Sequence, residues 1–490
     1  MSRFSVQASA IVFVLALATP AFAADMPVRA AAVAAYDWSG FYVGANAGYG
    51  SGRNPSTTGF PGFFGNPVPA PESFSQSPAG GLGGFQAGYN WQAGHLVLGA
   101  EGDWQWSGQK GNACVFVCDT EVTVTLQQRV NSIGTLRGRV GFAEGGLLFY
   151  GTAGLATASV DADVSLIRSM QGQINTASFH HTMNGWVAGG GIEAALGGNW
   201  TAKAEYLYAD LGSFSDAFNS PNPGRPITTQ VTSDVRDHIF RAGINYRFGG
   251  AGRPEPAASG MMTKAPAFVS AYDWTGFHVG GNVGYGVGHN ATGVGRTIPP
   301  FPLLMPEQFT FAPAGWLGGV QAGYDWQLSR NWVGGIEADY QRAGQRDSVC
   351  VLSCELTFGQ GLTAQQELNW FSTLRGRFGY AYGPALFYLT GGLAVAGVQD
   401  DLQSTSGRLT TSASFNHTKT GWAAGGGLEA ALGGNWSGRV EYLHLDLGSV
   451  SDSFTSPSPF LPNLTTSQSS TLHNDLVRVG LNYRLTGTGR

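Results

Sequence analysis

The sequence predicts an all-β fold: a transmembrane antiparallel up-and-down β-barrel, written twice in one chain. Three observations carry this. The segment Ala35-Tyr36-Asp37-Trp38-Ser39-Gly40-Phe41-Tyr42-Val43-Gly44 returns as Ala271-Tyr272-Asp273-Trp274-Thr275-Gly276-Phe277-His278-Val279-Gly280, and matching segments recur until both copies close on Asn-Tyr-Arg (245–247 and 482–484). Only 12% of the 490 residues are charged, against about a quarter in ordinary globular domains, while 74 are glycine and 59 are aromatic (29 Phe, 17 Tyr and 13 Trp). Within the repeats, apolar and polar side chains alternate with a period of two, the spacing of a strand that presents its two faces to different surroundings.

The elements follow in order. Residues 1–23 read as a secretory signal, with Arg3, an apolar run over 11–18 and a small-x-small cleavage site at Ala21-Phe22-Ala23, so cleavage is expected near Ala23 and the mature chain is exported. No later apolar run is long enough for a membrane-spanning helix. The first copy then divides into eight strand-like runs over 41–50, 83–92, 96–106, 132–142, 147–157, 185–196, 200–211 and 239–248. Each is close to the roughly ten residues that a tilted transmembrane strand needs. Connections are short at Ala93-Gly94, 143–146 and 197–199 and long elsewhere, the alternation of periplasmic turns with extracellular loops. The long connections 51–80, 215–233, 287–315 and 451–473 are rich in Gly, Pro, Ser and Phe or in polar residues, and differ between the copies more than the strands do.

Side-chain parity fixes which face meets lipid. From Leu136 to Phe142 the outward set is Leu136, Gly138, Val140 and Phe142, and Arg137 and Arg139 point inward. The opposite orientation would place two arginines in hydrocarbon at about 2–4 kcal/mol each near the midplane. The same assignment collects Glu101, Asp103, Glu193 and Glu205 with Arg137, Arg139, Lys203, Arg241 and Arg247 in the first lumen. The second copy repeats the set as Glu337, Asp339, Glu429 and Glu441 with Arg375, Arg377, Arg439, Arg478 and Arg484, and no position changes the sign of its charge. Aromatic residues fall into two bands: Trp38, Trp91, Phe149, Trp200, Tyr246 and Phe248 at the turn ends, and Trp104, Trp106, Tyr206 and Tyr208 at the loop ends. Gly189-Gly190-Gly191 and Gly425-Gly426-Gly427 lie inside strand six, where glycine allows curvature or close packing of lumenal side chains. The spacing Cys114-x-x-x-Cys118, repeated as Cys350-x-x-x-Cys354, predicts a small disulfide ring in a loop of each copy, a metal or redox site being the alternative.

The opening motif of each copy, the start Ala24-Asp25-Met26-Pro27 and the close Gly243-Ile244-Asn245-Tyr246-Arg247-Phe248 resemble the alphaproteobacterial outer-membrane immunogenic proteins, often called porin family proteins. The resemblance implies one eight-stranded barrel per copy, similar to the membrane domain of OmpA, surface exposed and antigenic in the outer membrane. It implies as partners outer-membrane lipid and lipopolysaccharide, the barrel-assembly machinery, and host or surface ligands at the extracellular loops. Family members usually finish on an aromatic residue, whereas this chain runs Asn482-Tyr483-Arg484-Leu485 and on to Arg490, so a weaker assembly signal is expected for the second half. The domains are then a first barrel over 36–248, a linker over 249–271 with Pro254, Pro256 and Pro266, and a second barrel over 272–485. A linker of that length favours two eight-stranded barrels, with one sixteen-stranded barrel as the alternative.

Function follows from the number of barrels. Two small barrels filled by charge imply a structural, surface-exposed role, and a single large one a passive diffusion porin lined by the same charges. A lipid-modifying enzyme would need a His with a Ser and an acid; His180, His181 and His417 lie near Ser178 and Ser414, but no acid at a fixed spacing is expected to be shared by both copies, and no catalytic residue is assigned. Some members of the family that the chain resembles are described as binding haemin, for which these histidines are the available axial ligands, yet a solvated role is favoured and no cofactor or metal is expected. A net charge of −5 over this length gives no basis for nucleic-acid binding.

Overall fold

The computed structural model describes residues 36–59, 72–115, 122–168, 173–220, 227–248, 272–298, 301–351, 360–406, 409–457 and 463–485. The expected signal segment, the expected linker, Cys118 and Cys354 lie outside the described residues. Among the described residues, ten strands form in each copy. The first has β1 (Gly40–Gly52), β2 (Asn54–Gly59), β3 (Glu72–Gln76), β4 (Ala79–Ala93), β5 (Leu96–Val115), β6 (Val122–Glu144), β7 (Leu147–Arg168), β8 (Gln173–Gly197), β9 (Trp200–Ser220) and β10 (Ile227–Phe248). The second has β11 (Gly276–Gly288), β12 (Asn290–Ile298), β13 (Phe301–Phe311), β14 (Ala314–Gln327), β15 (Trp332–Val351), β16 (Gln360–Tyr382), β17 (Ala385–Ser406), β18 (Leu409–Gly433), β19 (Trp436–Ser456) and β20 (Leu464–Arg484).

Ring closure decides between the two architectures. β1 pairs antiparallel with β10, Phe41 opposite Phe248, and on its other edge with β4. β11 pairs likewise with β20, His278 opposite Arg484, and with β14. Each copy therefore closes on itself as an eight-stranded barrel, and the sixteen-stranded alternative is corrected. The alternation holds along the strands: Leu136, Val140 and Phe142 are 64%, 53% and 55% exposed, while Arg137 and Arg139 between them are buried. Tight turns join the strands at one end, and Gly94 and Gly145 take φ of 61° and 56° there, a conformation that a side chain disfavours.

Two expectations about the loops are corrected. The stretches 51–80 and 287–315, loop-like in composition, contain the hairpins β2–β3 and β12–β13. Much of 215–233 and 451–473 continues the ladders of β9, β10, β19 and β20. The reason is burial. Above the membrane the strands enclose a further core of Phe74, Val124, Leu126, Val164 and Leu166 from the first copy with Val294, Phe309, Phe311, Leu362 and Leu402 from the second. Strand length is thus set by a water-excluding core as well as by bilayer thickness.

This extracellular core joins the two barrels. β13 touches β5 at Gln308 opposite Cys114, and β3 touches β15 at Ser73 opposite Cys350, so each hairpin reaches the other copy's sheet. Arg53 of the first copy donates to Asp347 of the second at 3.1 Å and to the Ala312 carbonyl at 2.9 Å. Lower down, Phe240 stacks on Tyr442 with centroids 4.8 Å apart, and His238 stacks on Tyr285.

Candidate functional site

The first lumen is filled in layers. At the turn end Trp38, Val97, Ala143, Leu148 and Tyr150 form an apolar plug. Trp38 was expected in the interfacial band, but it is fully buried because the chain before β1 folds back into the barrel mouth, where its backbone N–H donates to the Gln92 side chain at 2.6 Å. Toward the loop end Leu82, Ile133, Ala156, Val160, Leu207 and Ile239 form a second apolar layer. The charges lie between.

Strand parity puts Glu101 and Asp103 on β5, Arg137 and Arg139 on β6, Glu193 on β8, Lys203 and Glu205 on β9 and Arg241 on β10, all buried. Arg137 donates to Asp103 and Glu205 at 2.8 Å each and also to Glu101, tying one wall of the ring to the other. Arg241 contacts Glu205 at 2.7 Å and Asp103 at 2.9 Å, Lys203 reaches Glu101 at 2.7 Å, and Arg139 reaches Glu193 at 2.8 Å. In the second barrel Arg375 contacts Glu337, Asp339 and Glu441 at 2.8, 2.9 and 3.1 Å. Arg377 meets Glu429 at 2.6 Å, Arg439 meets Glu337, and Arg478 meets Asp339 at 2.8 Å and Glu441.

Among the described residues, Arg247 and Arg484 make no ion pair with these networks, which separates them from the grouping by parity alone. Both lie at the turn end, where Arg247 donates to the Ser39 carbonyl and its guanidinium sits 5.0 Å from the Tyr36 ring and 5.7 Å from that of Trp38. Arg484 does the same against Tyr272 and Trp274. Removing Arg247 leaves four acids and four bases in the first network, a balanced set.

Several participants were missed. Tyr150 and Tyr388 donate to Glu205 and Glu441 at 3.1 and 2.9 Å, and Asn245 and Asn482 each donate to a glutamate at 2.9 Å. A Cβ on Gly191 or Gly427 would lie 2.9 or 2.7 Å from those tyrosine hydroxyls, so glycine at these positions of β8 and β18 makes room for them. Where the first copy has Tyr42 and Asn90, the second has His278 and Asp325: the imidazole lies 3.5 Å from Asp325 and 3.3 Å from Glu337. An added acid is met by an added imidazole. Inward parity marks all of these positions in the sequence, but attention to charge alone passes over them.

The histidines outside the lumen also differ from expectation. His181 contacts Asp216 at 2.8 Å and His417 contacts Asp452 at 2.9 Å, in both cases an acid 35 residues onward, so a shared acid does exist. Its regularity was hidden because the partner sits on the next strand. His180 contacts Asp161 at 2.6 Å. Ser414 accepts from Gln399, so the serine near His417 is bonded elsewhere. Cys114 and Cys350 are each disulfide-bonded.

The description "outer membrane protein beta-barrel domain" matches residues 9–248 and again 256–484. The chain belongs to this outer-membrane β-barrel family. The 31 kDa outer-membrane immunogenic protein of Brucella melitensis is 37% identical over 247 residues, which cover 47% of this chain and 95% of that protein. The 22 kDa outer membrane protein of Rhizobium leguminosarum bv. viciae is 31% identical over 191 residues, 39% of this chain and 71% of that one. Among solved structures, Neisserial surface protein A is 18% identical, with 43% of this chain and 98% of that chain covered and a TM-score of 0.22. The protein is an outer-membrane β-barrel protein similar to outer-membrane immunogenic proteins, with the family domain present twice.

Proposed function

We propose that this outer-membrane barrel pair is a sealed, surface-exposed scaffold that presents its fused extracellular sheet to ligands or antibodies and does not act as a diffusion channel. One observation carries the reading: the arginines at 137 and 375 each bind two acids on the neighbouring strand and one on the far wall, between two apolar layers. A permeating solute would have to break these contacts and strand charges in a dehydrated space. The name of the Brucella relative supports an antigenic surface role, and lipopolysaccharide and the barrel-assembly machinery are the partners that such a barrel requires. Export through cleavage near Ala23 belongs to the same reading. Reconstitution of the purified protein into a planar bilayer, with insertion verified by heat-modifiable gel mobility, tests it. The expected record has no steps of porin size; such steps from inserted protein overturn the reading.

A further inference from the structure

Above the membrane, β18 and β19 part company. Their pairing runs upward only to Trp422 opposite Asp446, leaving the outer stretches of both strands without each other. His417 on β18 and Asp452 on β19 face across this seam, with the imidazole Nε2 2.9 and 3.1 Å from the two carboxylate oxygens. Asp400 on β17 completes a group in which one donor atom from each residue lies within 4.8 Å of the others.

The environment of Asp400 points to a ligand. The residue is fully buried. Its Oδ1 accepts from Gln366 at 2.9 Å and from Gln468 at 3.3 Å, but its Oδ2 has no hydrogen-bond partner. The Gln468 amide oxygen, also buried, has none either. Leaving two buried oxygens unmatched is costly unless something electropositive binds them.

The first barrel supplies an internal comparison. There the His181 to Asp216 contact is kept at 2.8 Å, but Ala162 stands where the register puts Asp400, and Val231 stands opposite Asp216 as Gln468 stands opposite Asp452. One copy thus has two apolar residues where the other has two oxygen donors. A seam held only by His and Asp does not need the second pair.

We propose that Asp400, His417 and Asp452, with the Gln468 amide oxygen as a further donor, form an extracellular site for a divalent first-row transition cation of the zinc class. One imidazole and two carboxylates are a donor set suited to such borderline ions, and a site with an open position is common for them. The cation ties the continuously paired β17 and β18 to β19, beyond the point where the backbone pairing of β18 with β19 stops. Among the described residues, the first barrel has no equivalent group of donors.

Isothermal titration of the chelator-treated, detergent-folded full-length protein with zinc chloride tests this. The expected result is one tight equivalent, weakened at least about 100-fold by Asp400→Asn and by His417→Gln. Heat-modifiable mobility on gels checks that both variants stay folded. The double substitution Ala162→Asp with Val231→Gln is expected to raise the stoichiometry from one to two. Absence of saturable binding, two equivalents in the unmodified protein, or binding unchanged by Asp400→Asn overturns the proposal. A stoichiometry that stays at one after the double substitution overturns the role given to Asp400 and Gln468.

Discussion

Glu205 illustrates how much one lumenal side chain holds. It accepts from Arg137, Arg241 and Tyr150, so its removal leaves two buried guanidinium groups short of a counter-charge. Coulombic attraction in such a network roughly offsets the cost of dehydration, but breaking it from one side does not recover that cost. Glu205→Ala is therefore expected to lower stability by about 3–5 kcal/mol, read as the shift of guanidinium-induced unfolding in detergent followed by tryptophan fluorescence. A loss below about 1 kcal/mol would mean that water already shares the site. The residues of this network were legible in the sequence because parity is binary: Arg137 and Arg139 can face only lipid or lumen, and lipid is prohibitive. Arg247 shows the limit of that logic. Parity gives the face but not the height, and the aromatic plug that claims Arg247 comes from Tyr36 and Trp38, before the first strand begins.

Strands behave in a less local way. The transmembrane runs were readable from their alternation, whereas their continuation above the bilayer was not, since Gly, Pro and Ser in 51–80 and 287–315 have the composition of turns. What makes β12 and β13 strands is the partner surface, notably Phe309 and Phe311 inserting into a core that draws on both copies. The break between β11 and β12 is a useful probe. His289 sits at that junction, its backbone N–H donating to the His473 carbonyl at 2.9 Å, and its Nδ1 is buried without a hydrogen-bond partner. Burial lowers its pKa from the ordinary 6.5. A histidine depressed in the folded state favours the neutral form there, so its share of stability is present above about pH 6.5 and is lost as pH falls toward the lower folded value. His289→Gln is expected to flatten the decline in unfolding midpoint just below pH 6.5. An unchanged slope in a series of midpoints would remove His289 as its source.

At the scale of the whole molecule, the physical question is what keeps two closed rings in a fixed relation. Within the bilayer the hydrophobic effect is of little use, because lipid tails solvate an apolar face as well as another barrel does. Contacts such as Phe240 on Tyr442 therefore contribute shape and dispersion only. Above the bilayer the solvent is water, and the shared cluster of Phe74, Val124, Leu126, Phe309, Phe311 and Leu362 is the part of the interface where burial is strongly favourable. Truncating a buried phenylalanine in such a core costs about 3–5 kcal/mol, and an acid there costs more. Spin labels at Leu155 and Leu393, which are 68% and 66% exposed on the lipid faces of the two barrels, give a direct measure of their relation. Pulsed dipolar spectroscopy is expected to show a narrow distance distribution in the parent protein, a broad one after Phe311→Asp, and little change after Phe240→Ala. The reverse order, with Phe240→Ala loosening the rings and Phe311→Asp leaving them fixed, would place the coupling in the membrane and not in the extracellular core.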